Sequence, residues 1–415
     1  MHRIKENALF LIDGSYILYR SYYGLRPLYT SSGIPTQATY GFCRTIKRII
    51  DIFDPTKMAL VWDSKGKTFR SEMYEEYKAT RQAPPSDLFI QKEQIQEFAN
   101  SIGLYQIAKT GYEADDLIAT LAEKNKKGQT IIVGPDKDLF QLIKDKDVMI
   151  YDSFKEKLID ETDFRKEKGF GPEKLRFYHS LLGDASDNIP GVKGIGKKTA
   201  LELVQKFDSL EELYQNMEKI KKEGVQKALI ENKKNAFLSY ELFGLKLYKL
   251  SVGKKDLDFN ESHWVNAAPI FQKLEFKSML ADLRKVYSTD VQKILSEGKD
   301  LISRKSEHEI EITEKKAKEV QATIAFDNET KNKKDDWTCR VVSKNEDLEK
   351  LIDKIKEKKI FAFDTETTGL RAMQDELVAL SIAFEKKKKL ITFLLLIRMA
   401  QKKKMLKFLK LKKRL

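Results

Sequence analysis

The sequence predicts an α/β protein whose first 175 residues form a mostly parallel sheet and whose next stretch is helical. Two observations carry this. Three short apolar runs, Ala8–Ile12, Met58–Trp62 and Thr130–Val133, are of the kind buried on both faces of a parallel sheet. Amphipathic segments lie between them, the alternation expected of helices packed over such a sheet. Ser86 is placed to cap one of these helices; Ile95, Phe98 and Ile102 share its inner face, and Gly103 is placed to end it.

The position of the acids gives this scaffold a purpose. Ligands of open α/β sheets sit at the carboxyl ends of the strands. Asp13 follows the first run, Asp63 the second, and Asp136 lies just past the third, so three acids from distant sequence converge on one rim. They belong to a larger set of nine carboxylates within the first 190 residues: Asp13, Asp63, Glu113, Asp115, Asp116, Asp136, Asp138, Asp184 and Asp187. Converging carboxylates repel one another unless cations neutralise them. Hard oxygen ligands select Mg²⁺ or Mn²⁺, and two such ions about 3.5–4 Å apart can clamp the attacking and leaving oxygens of a phosphodiester. Surface exposure is the competing account of any single Asp. Glu113 and Asp116, one helical turn apart at a helix start, have a second competitor: acids are favoured there by the helix dipole alone.

Beyond residue 175 the strand pattern stops and helices continue through Leu250. Pro190–Ala200 holds a Gly-Ile-Gly turn that opens a helix. Such a turn offers backbone amides to a phosphate; Gly194 and Gly196 permit close approach, and Lys193, Lys197 and Lys198 add charge. Residues 291–335 are highly charged, nearly lack aromatics and read as a linker. A second α/β pattern follows over 336–385, with a helix at Glu346–Lys356 and strands at Ile360–Phe363 and Leu377–Phe384.

The motifs Leu-Ile-Asp13-Gly-Ser, Val-Trp-Asp63, Gly-Tyr-Glu113-Ala-Asp115-Asp116-Leu, Pro-Asp136-Lys-Asp138 and Leu-Leu-Gly-Asp184-Ala-Ser-Asp187-Asn-Ile-Pro-Gly, in this order, resemble the 5′-nuclease domain of bacterial DNA polymerase I, within the flap endonuclease superfamily. The resemblance spans roughly residues 5–290. It implies a PIN-like catalytic domain over 1–175 and a helix–three-turn–helix DNA-binding subdomain over 176–290. It also implies metal-dependent hydrolysis, leaving a 5′-phosphate, of 5′-flaps and of nicked or RNA-primed duplexes. Asp13, Asp63, Glu113, Asp115 and Asp136 fall nearer one metal by this likeness; Asp138, Asp184 and Asp187 fall nearer the other. Lys78 matches a lysine that reaches the scissile phosphate from a mobile arch, and Arg81 lies beside it. Asp13 and Asp136, with these two cations, are the expected catalytic set. The basic, aromatic-interleaved stretch around Arg70 and the tyrosine pair Tyr22–Tyr23 are candidate DNA contacts, Tyr22 by stacking an unpaired base, with burial in the core as its alternative. The hairpin carbonyls of such proteins commonly hold K⁺. One departure is Pro135, where the family commonly has glycine; proline removes a backbone donor and fixes φ.

Ile360–Leu370 resembles the first motif of 3′–5′ proofreading exonucleases, with Asp364 and Glu366 on alternate positions of a strand and therefore on one face. The second domain is expected to be an incomplete ribonuclease H-like α/β unit without proofreading, since no carboxylate follows Glu385. Nothing past residue 385 resembles a polymerase palm or fingers.

Charge requires care. The net charge is +14, but residues 386–415 hold thirteen Lys plus Arg and no acid. Only one net charge is left to the rest, so DNA contact in the body must come from local patches. The pattern of the second domain is expected to collapse at the Lys386–Lys389 run. Slippage of the reading frame there would make 386–415 out-of-frame sequence; a basic DNA-binding or membrane-surface tail is the competing account. Two widely spaced cysteines, Cys43 and Cys339, argue against a disulfide framework, and the apolar run Leu390–Ile397 falls short of the roughly 20 residues that span a bilayer. The sequence-based expectation is a monomeric, cytoplasmic nuclease acting on DNA, with a noncatalytic DNA-structure-binding module as the alternative.

Overall fold

The computed structural model describes residues 4–64, 66–81 and 84–297, and the backbone of strands at 337–342, 362–367, 377–386 and 389–396. It divides into two compact units, 1–310 and 311–415.

The first unit is built on β1 (Leu9–Asp13), β2 (Lys57–Val61), β3 (Tyr105–Ile107), β4 (Thr130–Val133), β5 (Val148–Asp152) and β6 (Lys157–Ile159). Their order is β3-β2-β1-β4-β5-β6, parallel throughout except for the closing β5–β6 pair. Five-residue β1 is completely buried at the centre. Its alternation divides the core: Phe10 and Ile12 face one apolar cluster and Leu9 and Leu11 the other. On the first side pack α1 (Gly14–Gly24), α2 (Gln37–Phe53) and α4 (Ser86–Ser101), and on the other α5 (Ala114–Lys124); short α3 (Phe69–Met73) lies between β2 and α4 in sequence. As expected, Ile95, Phe98 and Ile102 are fully buried, and Gly103 ends α4 at φ +68°. The cap differs by one position. Pro85 precedes the helix, so Ser86 is its first residue rather than its cap.

Helices then take over: α6 (Glu161–Lys168), α7 (Leu175–Leu182), α8 (Lys197–Lys206), α9 (Leu210–Gln215), α10 (Glu223–Glu231) and α11 (Lys233–Phe243), followed by α12 (Ala268–Lys273), α13 (Lys277–Val286) and α14 (Ser288–Glu297). The fold is the expected one, a PIN-like α/β domain joined to a helical subdomain. The charged stretch expected to begin at 291 starts instead as the body of α14, because Val291 is buried to 1% exposure against the core. The remainder of that stretch, and the expected helix at Glu346–Lys356, lie outside the described residues.

The second unit holds β7 (Trp337–Val342), β8 (Ala362–Thr367), β9 (Leu377–Lys386) and β10 (Lys389–Leu396) in the order β7-β10-β9-β8. Asp364 and Glu366 lie in β8, in register with Ser381 and Ala379 of β9. The strand pattern does not collapse at 385. β10 pairs antiparallel with β9 and parallel with β7, and the apolar run Leu390–Leu396 is the reason a strand forms there. Among the described residues no helix is long and apolar enough to cross a membrane.

Candidate functional site

Each acid is delivered by the end of an element. Asp13 is the last residue of β1 and caps α1, accepting from the Tyr16 amide at 2.9 Å. Gly134, at φ +130°, follows β4; a Cβ there would stand 3.1 Å from the Asp13 Cβ, so only glycine lets the two strand ends approach this closely. Asp136 then accepts from the Asp138 amide at 3.0 Å, a tight turn that sets both carboxylates on one side. The Asp63 amide donates to Ser15 Oγ at 3.1 Å, and the Asp63 carboxylate accepts from the Ala114 amide at 2.9 Å, which joins the end of β2 to the first turn of α5. Asp115 sits in that turn. Carboxylate oxygens of Asp115, Asp136 and Asp138 lie within 4.8 Å of one another.

The electrostatics agree with the geometry. Burial, then the neighbouring Asp63 and Asp136, push the Asp13 carboxyl well above the usual carboxylate range. Burial, followed by Asp136, Asp13, Asp138 and Asp63, does the same to Asp115. Asp138 is pushed up to about 7 by burial and Asp136, against the pull of Lys137. Its Oδ1 is buried with no hydrogen-bond partner. Three raised acids, Asp13, Asp115 and Asp138, with Asp63 and Asp136 beside them and an orphaned buried oxygen among them, are a donor set that fits a hard divalent cation.

The other four expected acids are held by cations of the chain. Asp187, 3% exposed, pairs with Arg81, whose Nε donates at 3.1 Å. Asp184 pairs with Lys137 and accepts from the Ser186 amide and hydroxyl at 2.9 and 2.8 Å. Both ride on a small loop closed by paired backbone bonds between Asp184 and Ile189. Glu113 accepts from Lys78 Nζ at 2.9 Å, Thr68 Oγ1 at 3.0 Å and Tyr77 OH at 3.1 Å. Burial would raise its carboxyl, but Lys78 and Arg70 outweigh burial and hold it below the usual range. Asp116 is completely buried and meets Arg70 in a two-pronged pair, Nη1–Oδ2 2.8 Å and Nη2–Oδ1 3.0 Å. The structure therefore does not bring Asp116 into the acid cluster. Asp138 stands between the two expected groups: its carboxylate lies with those of Asp115 and Asp136, and the charge of Asp187 also acts on it.

Among the expected DNA contacts, Arg70 is 3% exposed, and its remaining donors are spent on Leu242 O and Gly244 O, both at 2.8 Å. A solvent-facing role was expected for it; three buried acceptors remove it from the surface. Tyr22 donates to Asp87 at 2.6 Å and packs on the core, while Tyr23 beside it is 66% exposed. The hairpin is as anticipated in form. Val192 and Ile195 anchor it in the core, Lys193, Gly194, Gly196, Lys197 and Lys198 are exposed, and α8 opens at Lys197 with no side chain capping it. Open space surrounds Gly196, and the nearest atom to a Cβ on Gly194 would be 3.9 Å away.

A carboxylate cluster at the carboxyl rim of a parallel sheet, with a lysine-flanked glycine turn in the attached helical subdomain, defines a nuclease-type site. The comparisons agree. Residues 8–169 match the N-terminal resolvase-like domain of 5′-3′ exonucleases, 170–263 the C-terminal SAM fold of the same enzymes, and 339–411 a 3′-5′ exonuclease domain. The chain is 35% identical over 293 residues to a 5′-3′ exonuclease of Aquifex aeolicus, covering 69% of this chain and 99% of that one. It is 33% identical over 390 residues to DNA polymerase I of Pseudomonas aeruginosa, covering 92% of this chain; it spans only 39% of that relative's length. A zinc-bound T5 5′-exonuclease aligns at TM-score 0.49 and 19% identity, over 67% of this chain and 99% of its own. The chain belongs to the 5′-3′ exonuclease family and is a nuclease.

Proposed function

We propose that the chain is a structure-specific 5′-nuclease that hydrolyses phosphodiesters of 5′-flapped, nicked or RNA-primed DNA. The observation that carries this reading is the group of Asp115, Asp136 and Asp138, with Asp13 and Asp63 raising their charge cost. Carboxylates gathered this closely are expensive to keep together without a cation.

Asp13, Asp63, Asp115, Asp136 and Asp138 would hold one divalent ion, Mg²⁺ or Mn²⁺, and Asp184 and Asp187 would help hold a second. Bound there, the ions would supply an activated water and neutralise charge on the departing oxygen. The chain's own residues do the rest. Lys78 exchanges Glu113 for the scissile phosphate and stabilises the charge that develops on it. Arg81, opposite Asp187, acts on the same phosphate. The glycine turn takes a duplex phosphate on the amides of Gly194 and Gly196, and Lys193, Lys197 and Lys198 hold the backbone without reading bases.

The deciding experiment is cleavage of end-labelled 5′-flap, nicked and blunt duplexes in parallel, with Mg²⁺ and with EDTA. Cleavage of the flap and nick in Mg²⁺ alone is expected. Products in EDTA, or undiminished cleavage by Asp13→Ala or Asp136→Ala, would overturn the metal-dependent reading.

A further inference from the structure

Glu113 and Asp116 stand one turn apart on the first turn of α5, and both oxygens of each carboxylate accept from donors of the chain. Those contacts have a common direction. Glu113 takes Thr68, Tyr77 and Lys78; Asp116 takes Arg70. All four donors come from one segment, 68–78, which carries the lysine aimed at the phosphate. Arg70 extends the attachment to Leu242 O and Gly244 O at the end of α11, and Asp116 accepts from the Lys246 amide at 2.9 Å. At its far end the segment is fixed again. The Lys78 amide donates to Asp187 O at 2.9 Å, Asn188 Nδ2 donates to Glu76 O at 2.9 Å, and Tyr77 packs with Ile189, Leu242 and Phe243. Lys78 itself is held at φ +58°, a conformation that a lysine adopts only when its surroundings require it.

We infer that Glu113 and Asp116 are not metal ligands but the docking face of the 68–78 segment, with Arg70 as its pin, so that both acids are positioning residues for Lys78. This rests on the reading of Lys78 as the group that meets the scissile phosphate. The acids of α5 are then divided by direction. Asp115 points to the metal cluster; Glu113 and Asp116, on either side of it in sequence, point to the strap.

The experiment measures Mn²⁺ binding by calorimetry alongside single-turnover cleavage of a 5′-flap, for Glu113→Gln, Asp116→Asn and Asp115→Asn in the full chain. Asp115→Asn is expected to weaken Mn²⁺ binding at least tenfold. Glu113→Gln and Asp116→Asn are expected to bind Mn²⁺ within twofold of the parent and to cleave at least tenfold more slowly. A tenfold loss of Mn²⁺ affinity in Glu113→Gln, or an unchanged cleavage rate in it, overturns the inference. Asp116→Asn leaves Arg70 buried without a counter-charge and is the variant at risk of not folding; Glu113→Gln keeps the size of the side chain while removing its charge and exchanging one acceptor oxygen for a donor, and it decides the matter alone. Should Lys78→Ala cleave normally, the reading of Lys78 fails, whereas the metal arm for Glu113 stands apart from it.

Discussion

Gly183 and Gly191 cross in backbone contact: a Cβ on Gly191 would lie 2.4 Å from the Gly183 nitrogen. Both have positive φ, +72° and +61°, and the Gly191 amide donates to buried Ser239 at 2.9 Å. The crossing closes the loop that carries Asp184 and Asp187 and leads straight into the hairpin. Gly191→Ala is expected to destabilise the protein by about 2 kcal/mol or more, since neither backbone can move aside. Gly196→Ala, in open space at φ −96°, is expected to cost under about 1 kcal/mol as a helix cap. It should nevertheless weaken duplex binding, because the added methyl stands where a phosphate would approach. Thermal melts and DNA-binding isotherms of the two variants separate the effects.

The hairpin lysines touch only backbone charge on this reading. Removing Lys197 or Lys198 is expected to reduce the salt dependence of duplex binding by about one counter-ion each, a change of roughly 0.9 in the slope of log K against log salt. Binding measured across a salt series checks it. A uniform drop in affinity with unchanged slope would contradict it.

The crowded acids store repulsion. Removing one charge, as in Asp138→Asn, is expected to stabilise the metal-free protein at pH 8 by roughly 1–3 kcal/mol. The same change should lower flap cleavage by two orders of magnitude or more. Denaturant unfolding with EDTA, beside a cleavage assay in Mg²⁺, tests both halves.

Stability should depend on pH in a defined window. Asp138 has a folded value raised to about 7, and Asp13 and Asp115 are raised too. A raised carboxyl binds its proton more tightly in the folded state. It therefore stabilises below the unfolded value near 4, and that contribution is lost as pH rises through the folded value. Metal-free protein is expected to lose roughly 1–3 kcal/mol between pH 6.5 and 8.5. His179, buried and lowered to about 4, works in the opposite direction only below about pH 6.5, where the unfolded imidazole takes up its proton. Saturating Mg²⁺ should flatten the loss. Melting curves at both pH values, with and without metal, read it out.

Much of this was legible in the residues. β1, β2 and β4 announced themselves as apolar runs, and the acids that follow them converge as the strand-end rule requires. β3 did not: it has three residues, and Tyr105 and Gln106 are only half-buried, so no hydrophobic run marks it. β5 and β6 lie in a mixed stretch whose burial depends on neighbours far along the chain. The pairing of Arg70 with Asp116 spans 46 residues, and spacing cannot express it. A cation seen without its partner reads as a DNA contact, and an acid seen without its partner reads as a metal ligand. Only the fold showed that each answers the other.

The central strand, finally, bears on how the protein tolerates trimming. β1 begins at Leu9, pairs on both sides, and ends in Asp13. Scaffold and chemistry thus share five consecutive residues near the amino terminus. A tag ahead of Met1 leaves them untouched. Translation restarted at an internal methionine, of which Met58 is the first, would remove the middle strand of the sheet and an acid of the site together. No shortened product of that kind would persist as a folded but inactive competitor for DNA ends.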